Sequence, residues 1–300
     1  MGGSAGTETE ANGSPAASFP KIAFLYATFP RPTETFVRRE LRTLWALGAG
    51  FTPVSIWRGA ATFDGRPVDR FRLRELWSLA WWLPYWACRR PGAFREILSD
   101  LWRRPCPSLQ NWNETFLALG FALVRADSFR RGGFRLCHAV WATMPATAAL
   151  ALKKLVGIEF SFGAHAYDVF RSRGDWLLAR KLRETAFVRT SSASTERRLL
   201  ALGLPPERLK LIRRGLSKWP EPTFRETLAA PVEILSVGRL VPKKGYFEQL
   251  RILRALFLAG VSFRARIAGG GPLREELERE SARLGLSDQL TFLGPLAEDE

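Results

Sequence analysis

The 300-residue sequence contains few cysteines, few histidines and no long apolar run, and each shortage excludes a class of protein. Its three cysteines, Cys88, Cys106 and Cys137, lack any CxxC or Cys/His metal spacing, which disfavours a zinc module or disulfide scaffold and favours a reducing compartment. The most apolar window, 76–88, contains Pro84 and falls short of the about 20 apolar residues that a membrane span needs. Acidic residues are also scarce, with 29 against 45 basic residues and a net charge of +16. This charge attracts nucleic acid, anionic lipid or phosphorylated ligands.

The composition otherwise resembles that of soluble globular proteins, with 46% hydrophobic and 25% charged residues. The length predicts two domains of ordinary size. The first residues, 1–18, are rich in Gly, Ala and Ser and lack the basic start and apolar core of a signal peptide. We expect them to form a disordered leader.

Short apolar runs alternate with helical patterns along the first half of the chain. Residues 22–26 predict a buried strand, and a helix follows from Thr33, a plausible N-cap with Glu34 in the first turn. The further strands are predicted at 54–57, 134–141, 160–162, 186–190 and 209–212, and the further helices after Thr143, at 176–185 and at 194–202. An arginine- and tryptophan-rich insertion interrupts the alternation at 70–130.

Prolines 220, 222 and 231 mark a linker, after which the alternation resumes. Strands are predicted at 233–237, 263–268 and 289–293, and helices at 246–258 and 273–284. This order favours parallel sheets flanked by helices, hence an α/β protein with two Rossmann-like doubly wound domains at 19–215 and 232–300, joined by a linker at 216–231. The second domain has three strands, fewer than the roughly six of a doubly wound sheet, so we expect it to be incomplete.

Ligands of open parallel sheets bind beyond the carboxyl ends of the strands, so the strand exits are the places to search. Both histidines, His138 and His165, fall at or just after a predicted strand end. His138 is also explained by packing within the strand. His165 lies in the segment 163–168, where small residues surround the imidazole and Asp168 follows three positions later, which favours a functional role.

In the second half, the segment 237–245 leaves an apolar strand and enters a helix. Gly238 permits close approach of a phosphate, the helix N-terminus favours negative charge, and Arg239 with Lys243 or Lys244 adds cations. The segment 268–272 repeats the arrangement at the next strand exit with Gly269, Gly270 and Gly271. These glycines do not form the GxGxxG fingerprint of dinucleotide-binding proteins.

Together, these motifs resemble the donor domain of retaining glycosyltransferase family 4, which has the GT-B fold. The first half is similar to the branch that builds bacterial exopolysaccharides such as colanic acid, through residues 29–36 with Glu40 and through residues 162–168. The resemblance covers residues 21–300. It implies sugar transfer from a UDP- or GDP-linked donor to a polysaccharide or lipid-linked acceptor, with retention of configuration.

The resemblance also implies roles for individual residues. It places His165 and Asp168 at the reacting sugar, Gly238, Arg239, Lys244, Gly269, Gly270 and Gly271 around the donor diphosphate and nucleotide, and Thr33, Glu34 and His138 on the acceptor side. Catalysis would be electrostatic, with cations stabilising the departing diphosphate. No cofactor or metal is expected, because the sequence lacks an Asp-x-Asp motif or a ligand cluster.

The chain departs from the family pattern at three positions. Val140 stands where the branch carries a second histidine, Gly163 where it carries threonine, and Ser217 where it carries aspartate. The glutamate pair that grips the donor in the family is not found up to residue 300. These departures keep a non-catalytic binding or scaffold protein open as the alternative, and we expect residues 1–300 alone to be inactive.

Five of the eleven tryptophans lie in one stretch of the insertion, residues 77–102, with arginines before and after them. They are Trp77, Trp81, Trp82, Trp86 and Trp102. Indole rings bordered by cations are typical of helices that lie in a lipid headgroup layer, whereas the alternative is a helix that buries its tryptophans on the first domain. We expect Trp77, Trp81, Trp82 and Trp86 to contact an anionic membrane at the cytoplasmic face of the plasma membrane.

The high positive charge also suggests a nucleic-acid-binding protein as a third hypothesis. The sequence contains no helix-turn-helix, RNP or zinc motif, and its basic residues are spread over the whole chain. No nucleic-acid partner is therefore predicted.

Overall fold

The computed structural model describes residues 20–31, 34–165, 167–170, 174–215, 221 and 230–296. The chain forms two compact units, residues 1–218 and 219–300. The boundary between them falls within the segment predicted as a linker. The predicted leader, Thr33 and most of this linker lie outside the described residues.

The first unit is built on a parallel sheet of seven strands. Its strands and a small hairpin are β1 (Ile22–Tyr26), β2 (Phe51–Ser55), β3 (Thr62–Phe63), β4 (Arg66–Pro67), β5 (Asp69–Arg70), β6 (Leu136–Ala139), β7 (Glu159–Gly163), β8 (Val188–Thr190) and β9 (Leu209–Leu211). The spatial order is β5-β2-β1-β6-β7-β8-β9, and β3 pairs with β4 in an antiparallel hairpin. The first strand thus lies inside the sheet, as in doubly wound folds.

Helices cover this sheet on both faces. They are α1 (Thr35–Ala46), α2 (Leu79–Arg89), α3 (Pro91–Arg103), α4 (Leu109–Arg131), α5 (Met144–Val156), α6 (Tyr167–Phe170), α7 (Leu178–Glu184) and α8 (Ala193–Ala201). Both faces of β1 are buried. Ala23 and Leu25 pack into one hydrophobic core, and Phe24 and Tyr26 pack into a second core. Such burial on both sides is characteristic of parallel sheets.

Helix α5 illustrates how the local sequence sets an element of this unit. It begins after Thr143 with Pro145 in its first turn, as predicted, and ends at Gly157, whose φ of 76° is the left-handed conformation of a helix C-terminus. The Thr143 side chain makes no capping hydrogen bond. Most residues of α5 are alanine or leucine and are buried, because the helix packs between the sheet and α4.

The insertion folds as a 3₁₀ turn, Leu73–Ser78, followed by α2, α3 and α4. Its tryptophans divide into two groups. Trp77, Trp81 and Trp102 are exposed, whereas Trp86 is buried and its indole N–H donates to the Leu123 carbonyl at 2.9 Å. Burial removes Trp86 from the predicted membrane-contacting set, and Trp82 is partly buried against the same core.

The bounds of β2 differ from the sequence prediction because this strand includes a proline. Strand β2 begins at Phe51, not at residue 54, and so contains Pro53. The neighbour β5 pairs only with Val54 and Ser55, so β2 is the edge strand of the sheet at Pro53. Proline is tolerated at an edge because its missing N–H needs no partner strand.

The second unit contains a three-stranded parallel sheet in its described residues. Its elements are β10 (Val232–Val237), α9 (Tyr246–Leu258), β11 (Phe263–Ala268), α10 (Arg274–Arg283) and β12 (Leu290–Gly294), with the strand order β10-β11-β12. Ala265 and Ile267 are buried in its core, whereas Leu235 and Val237 are 65% and 76% exposed. The predicted α/β class with parallel sheets is therefore confirmed in both units.

Candidate functional site

The carboxyl edge of the first sheet positions His165 through a close approach of two strand exits. β7 ends at Gly163, where an added Cβ would lie 2.6 Å from the Val140 carbonyl oxygen and 2.9 Å from Nε2 of His165. A real Cβ does not tolerate such contacts, so glycine lets the β7 exit lie against the β6 exit. The departure from threonine at this position is therefore tied to the placement of the imidazole.

The carboxylate of Asp168 holds this arrangement through the backbone. It accepts hydrogen bonds from the N–H of His165 at 3.1 Å (Oδ1) and 3.2 Å (Oδ2), and from the N–H of Ala142 at 3.3 Å (Oδ2). Asp168 is buried. Its geometry is that of a group that positions His165.

A buried ion pair supports the same backbone from the other side. The ammonium of Lys181 donates to the carbonyls of Ala142 and Thr143 at 2.7 and 3.2 Å and to Oδ1 of Asp175 at 2.5 Å. Both charged side chains are almost completely buried. Burial lowers the pKa of Lys181, and Asp175 acts against that shift. Asp168 thus binds the backbone N–H of Ala142, and Lys181 binds the backbone carbonyl of the same residue.

The His165 ring lies among aromatic side chains and is electrically neutral. Its centroid is 4.8 Å from Trp141 and 6.0 Å from Phe36, both edge-on. Burial, with the charges of Arg214 and Arg189, lowers its pKa to about 3. Among the described residues, neither ring nitrogen makes a hydrogen bond of normal geometry, and the nearby Val140 backbone opposes the fall in pKa. A neutral imidazole has one N–H donor and one acceptor nitrogen for a ligand.

Two cations stand beside this imidazole. Arg189 on β8 forms a bidentate ion pair with Glu40 on α1, with Nη2 and Oε2 at 2.7 Å. The guanidinium of Arg214 lies 3.5 Å above the Phe36 ring. The hydroxyl of Tyr26 is buried without a partner in the described residues, and burial, followed by Glu40, raises its pKa. This end of the sheet therefore gathers polar groups from β1, β7, β8, α1 and the β9 exit.

The other residues predicted on the acceptor side differ in their surroundings. The charges of Arg189 and His165 act on His138, and the charge of Glu34 acts on Tyr26. His138 is buried in β6, its Nδ1 is 2.8 Å from Oγ of Ser161, and burial lowers its pKa to about 3. This environment matches the packing alternative for His138. Glu34 is partly buried, with Oε1 3.6 Å from Nη1 of Arg31. Thr33 lies outside the described residues.

In the second unit, the backbone that follows β10 lies directly against the backbone that follows β11. A Cβ on Gly269 would lie 1.9 Å from the Gly238 carbonyl oxygen, and one on Gly271 would lie 2.4 Å from that of Leu240. Both glycines have positive φ, 140° and 158°. The N–H of Gly238 donates to Ala268 at 2.9 Å, and the N–H of Leu240 donates to Gly270 at 2.9 Å. Backbone contacts and hydrogen bonds thus hold the two predicted glycine segments against each other.

Cationic side chains lie where the β10 exit enters α9. Lys243 and Lys244 belong to a 3₁₀ turn that ends at Gly245, and both are exposed, as is Arg239. A Cβ on Gly238 would lie 3.9 Å from Cε of Lys244, so this lysine passes close to the glycine. Exposed cations, a bare backbone and a helix N-terminus form the arrangement that binds phosphate in other proteins.

No group of three or more His, Cys, Asp or Glu side chains within the described ranges is arranged to hold a metal ion. Nor does any helix in this part of the chain have the length and apolarity required to cross a membrane. The absence of a metal requirement stays a prediction.

Sequence reasoning missed several residues that the structure places around His165. Arg214 follows β9 and Trp141 follows β6, so the strand-exit rule that selected His165 also covers them. The sequence gives no signal for Lys181, because a lysine within a helix is normally exposed. Arg189 alternates with buried residues in a short strand, and only the sheet topology brings it to Glu40.

Comparison with known proteins gives consistent matches. Residues 223–300 match the family of glycosyl transferases group 1. The amylovoran biosynthesis glycosyltransferase AmsK of Erwinia amylovora is 32% identical over 306 residues, which cover 93% of this chain and 72% of AmsK. The colanic acid biosynthesis glycosyltransferase WcaL of Salmonella typhimurium is 35% identical over 99 residues, which cover 32% of this chain and 24% of WcaL.

Solved structures with low sequence identity show the same fold. The chain superposes on HepE of Anabaena in complex with UDP and glucose with a TM-score of 0.58, at 15% identity, covering 93% of this chain and 70% of HepE. The lipopolysaccharide outer core galactosyltransferase WaaB gives a TM-score of 0.55, at 12% identity, covering 93% of this chain and 69% of WaaB. The predicted GT-B fold class is confirmed.

Proposed function

Because this chain belongs to the glycosyl transferases group 1 family, we propose that the protein transfers a sugar from a UDP- or GDP-linked donor to a polysaccharide or lipid-linked acceptor with retention of configuration. The observation that carries this proposal is the crossing of the two glycine segments beside Arg239 and Lys244. The crossing exposes backbone at a helix N-terminus, which suits a diphosphate. The structure of HepE, which shares this fold, is a complex with UDP and glucose.

The residues divide the chemistry between the two units. In the second unit, Arg239 and Lys244 stabilise negative charge on the departing diphosphate, and this electrostatic effect is the main contribution to rate. In the first unit, the neutral imidazole of His165 makes a hydrogen bond to the transferred sugar. Asp168 and Lys181 contribute indirectly, because they fix the backbone that carries this imidazole.

Calorimetric titration of the chain with UDP and GDP tests the donor site. We expect Arg239→Ala to weaken binding by about tenfold or more, the loss of one charge-assisted contact. Arg251→Ala is the matched control, since this arginine is exposed in the middle of α9, and it should bind as the unaltered chain does. No affinity for either nucleotide, or equal affinity in the Arg239 variant, would contradict the proposal.

A sugar-transfer assay separates the enzyme from the scaffold alternative. Transfer that depends on His165 and retains the donor configuration would support the proposal, and its absence with nucleotide affinity intact would favour a binding protein. The expectation that residues 1–300 alone are inactive stays a prediction, which turnover by this chain would contradict.

We also propose that the insertion brings the protein to an anionic membrane at the cytoplasmic face of the plasma membrane. Trp77, in the 3₁₀ turn, and Trp81, in α2, are 87% and 71% exposed. The start of the insertion also lines a cavity of about 470 Å³, where Arg70, Arg72 and Arg74 lie together with Glu75. Exposed indoles with adjacent cations suit a headgroup layer of anionic lipid.

Sedimentation with phosphatidylglycerol vesicles at low salt tests the membrane proposal. The double variant Trp77→Ser, Trp81→Ser should lose most of its binding. Leu47→Ser removes an exposed apolar side chain, 72% accessible, at the end of α1 outside the insertion, and it should bind normally. Equal binding by both variants, or no binding of the unaltered chain, would end this proposal.

A further inference from the structure

The carboxyl edge of the first sheet carries more unsatisfied polar groups than its packing explains. Tyr26 Oη, Thr190 Oγ1, Arg189 Nε and both ring nitrogens of His165 are buried and lack hydrogen-bond partners in the described part of the chain. A buried group of this kind costs about 1–3 kcal/mol when it stays unpaired, and native proteins normally satisfy it with protein, water, an ion or a ligand. Five such atoms at one end of a sheet indicate a place where a polar ligand binds.

The charges around His165 specify the sign of that ligand. Glu40 forms an ion pair with Arg189, and Asp168 accepts hydrogen bonds from backbone N–H groups. Burial, followed by the charge of Arg189, lowers the pKa of Arg214, and the charge of Glu40 opposes this shift. Arg214 is therefore the cation beside the neutral imidazole that forms no direct ion pair within the described residues.

The orientation of Arg214 specifies the geometry of binding. Its guanidinium carbon lies 3.5 Å from the centroid of the Phe36 ring, and this contact with an aromatic face uses none of its N–H donors. An arginine held in this way presents a fixed fork that matches two oxygens of a phosphate. Phe36 also lies edge-on to His165, so one aromatic ring supports both groups.

We propose that Arg214 and the His165 imidazole bind a phosphate-like oxyanion of the acceptor at the carboxyl edge of the first sheet. This inference rests on the proposed function, because it assigns a chemical class to the acceptor of the transfer. The oxyanion balances the charge of Arg214 and accepts a hydrogen bond from the N–H of the imidazole, while the other ring nitrogen stays available to accept from a hydroxyl of the transferred sugar. The donor diphosphate has its own cations in the second unit, Arg239 and Lys244.

The low histidine content permits a direct test by NMR. His138 and His165 are the two histidines of the chain, so ¹³C-labelled histidine gives one reporter in the proposed site and one inside the sheet. We expect inorganic pyrophosphate to shift the Cε1–H signal of His165 saturably and to raise the pKa of His165. His138 is buried against Ser161 and senses the site only through the charges of Arg189 and His165, so its signal should move far less than that of His165 and serves as the folding control.

Three variants distinguish the acceptor site from the donor site. Arg214→Met keeps an unbranched chain over Phe36 without the charge and should weaken the His165 response to pyrophosphate by about tenfold or more. Arg214→Lys should retain part of the response, because it keeps the charge and loses the fork. Arg239→Ala should leave the response intact.

The possible results separate this inference from the proposed function. No His165 shift, an equal shift in Arg214→Met, or a shift lost in Arg239→Ala would overturn the acceptor-oxyanion site. The last result would assign the response to the donor diphosphate. Failure of the donor proposal is read independently, as absence of UDP and GDP affinity while His165 still responds to pyrophosphate.

Discussion

The two units differ in how their sheets are covered and in how they hold functional groups. In the first unit, both faces of the sheet are packed into separate cores, and β1 contributes to each. In the second unit, the described helices cover one face, and β10 alternates between partly buried and exposed residues. Parallel sheets are normally buried on both sides, so the second unit depends on a single small core.

The functional groups follow the same division. The first unit positions His165 with buried charges, Asp168 on the backbone N–H groups and Lys181 on the carbonyls. The second unit positions its glycine segments with backbone alone, through Gly238 and Gly269. The first arrangement is therefore sensitive to changes of charge, and the second is sensitive to added volume.

The buried ion pair offers the largest expected effect. Asp175→Asn leaves the Lys181 charge buried without its counter-charge, which should lower the free energy of unfolding of the first unit by about 3–5 kcal/mol. Ten of the eleven tryptophans precede residue 219, so tryptophan fluorescence during urea unfolding reports almost entirely on this unit. Asp64→Asn, which affects an exposed pair with Arg42, is the control. Equal midpoints for both variants would show that the buried pair does not stabilise the first unit.

Because the described helices cover one face of the sheet, substitutions on the two faces of the second unit should have different effects on its stability. Ile267→Ala opens the single core and should cost about 2–4 kcal/mol, whereas Leu235→Ala on the exposed face should cost under about 0.5 kcal/mol. Hydrogen exchange of the β10 and β11 amides measures both. A large loss of stability in the Leu235 variant would mean that this face of the sheet is covered, and the two units would then not differ in sheet coverage.

The crossing of the strand exits predicts a steric effect of smaller size. Gly269→Ala places a methyl group against the Gly238 carbonyl at positive φ and should cost roughly 1–3 kcal/mol of strain, together with nucleotide affinity. Gly270→Ala is the neighbouring control, since its Cβ would make an ordinary contact of 3.7 Å with Pro295. Nucleotide titration and unfolding of both variants measure the difference. Similar behaviour would show that the crossing does not constrain the loop.

Acid should affect the first unit selectively. Burial lowers the pKa of His138 from 6.5 to about 3, so between these values the unfolded chain binds a proton that the folded chain does not, and stability falls as pH falls. The slope contributed by one such histidine is about 1.4 kcal/mol per pH unit. His138→Gln should reduce the slope measured by tryptophan fluorescence, and an unchanged slope would contradict the buried neutral state.

The order of elements was predictable because apolar runs and breakers encode it locally. Residues 22–26, 246–258 and 263–268 were predicted with their observed bounds. The glycine segments were also predictable, since Gly238 and Gly269 directly follow apolar strands. These features depend on neighbouring residues in the sequence, and local physical chemistry is sufficient to identify them.

Contacts between distant segments were not predictable. Arg189 and Glu40 are 149 positions apart, and nothing in either segment indicates the partner. Trp86 and Trp81 occupy the same helix with similar neighbours, and only the packing of α4 decides that Trp86 is buried. The contact of Asp168 with the Ala142 N–H was unpredictable for the same reason, because Ala142 belongs to another strand exit.

The end of α3 joins the insertion to the remainder of the first unit. Arg104 donates to the carbonyls of Asp175 and Gly174 at 2.9 and 3.3 Å, and Trp176 donates its indole N–H to the Arg104 carbonyl at 2.7 Å. The segment that carries the buried ion pair is therefore completed by residues of the insertion. As a matter of protein engineering, the insertion cannot be exchanged as a cassette, because a graft that omits Arg104 also removes contacts to the segment that carries the buried ion pair.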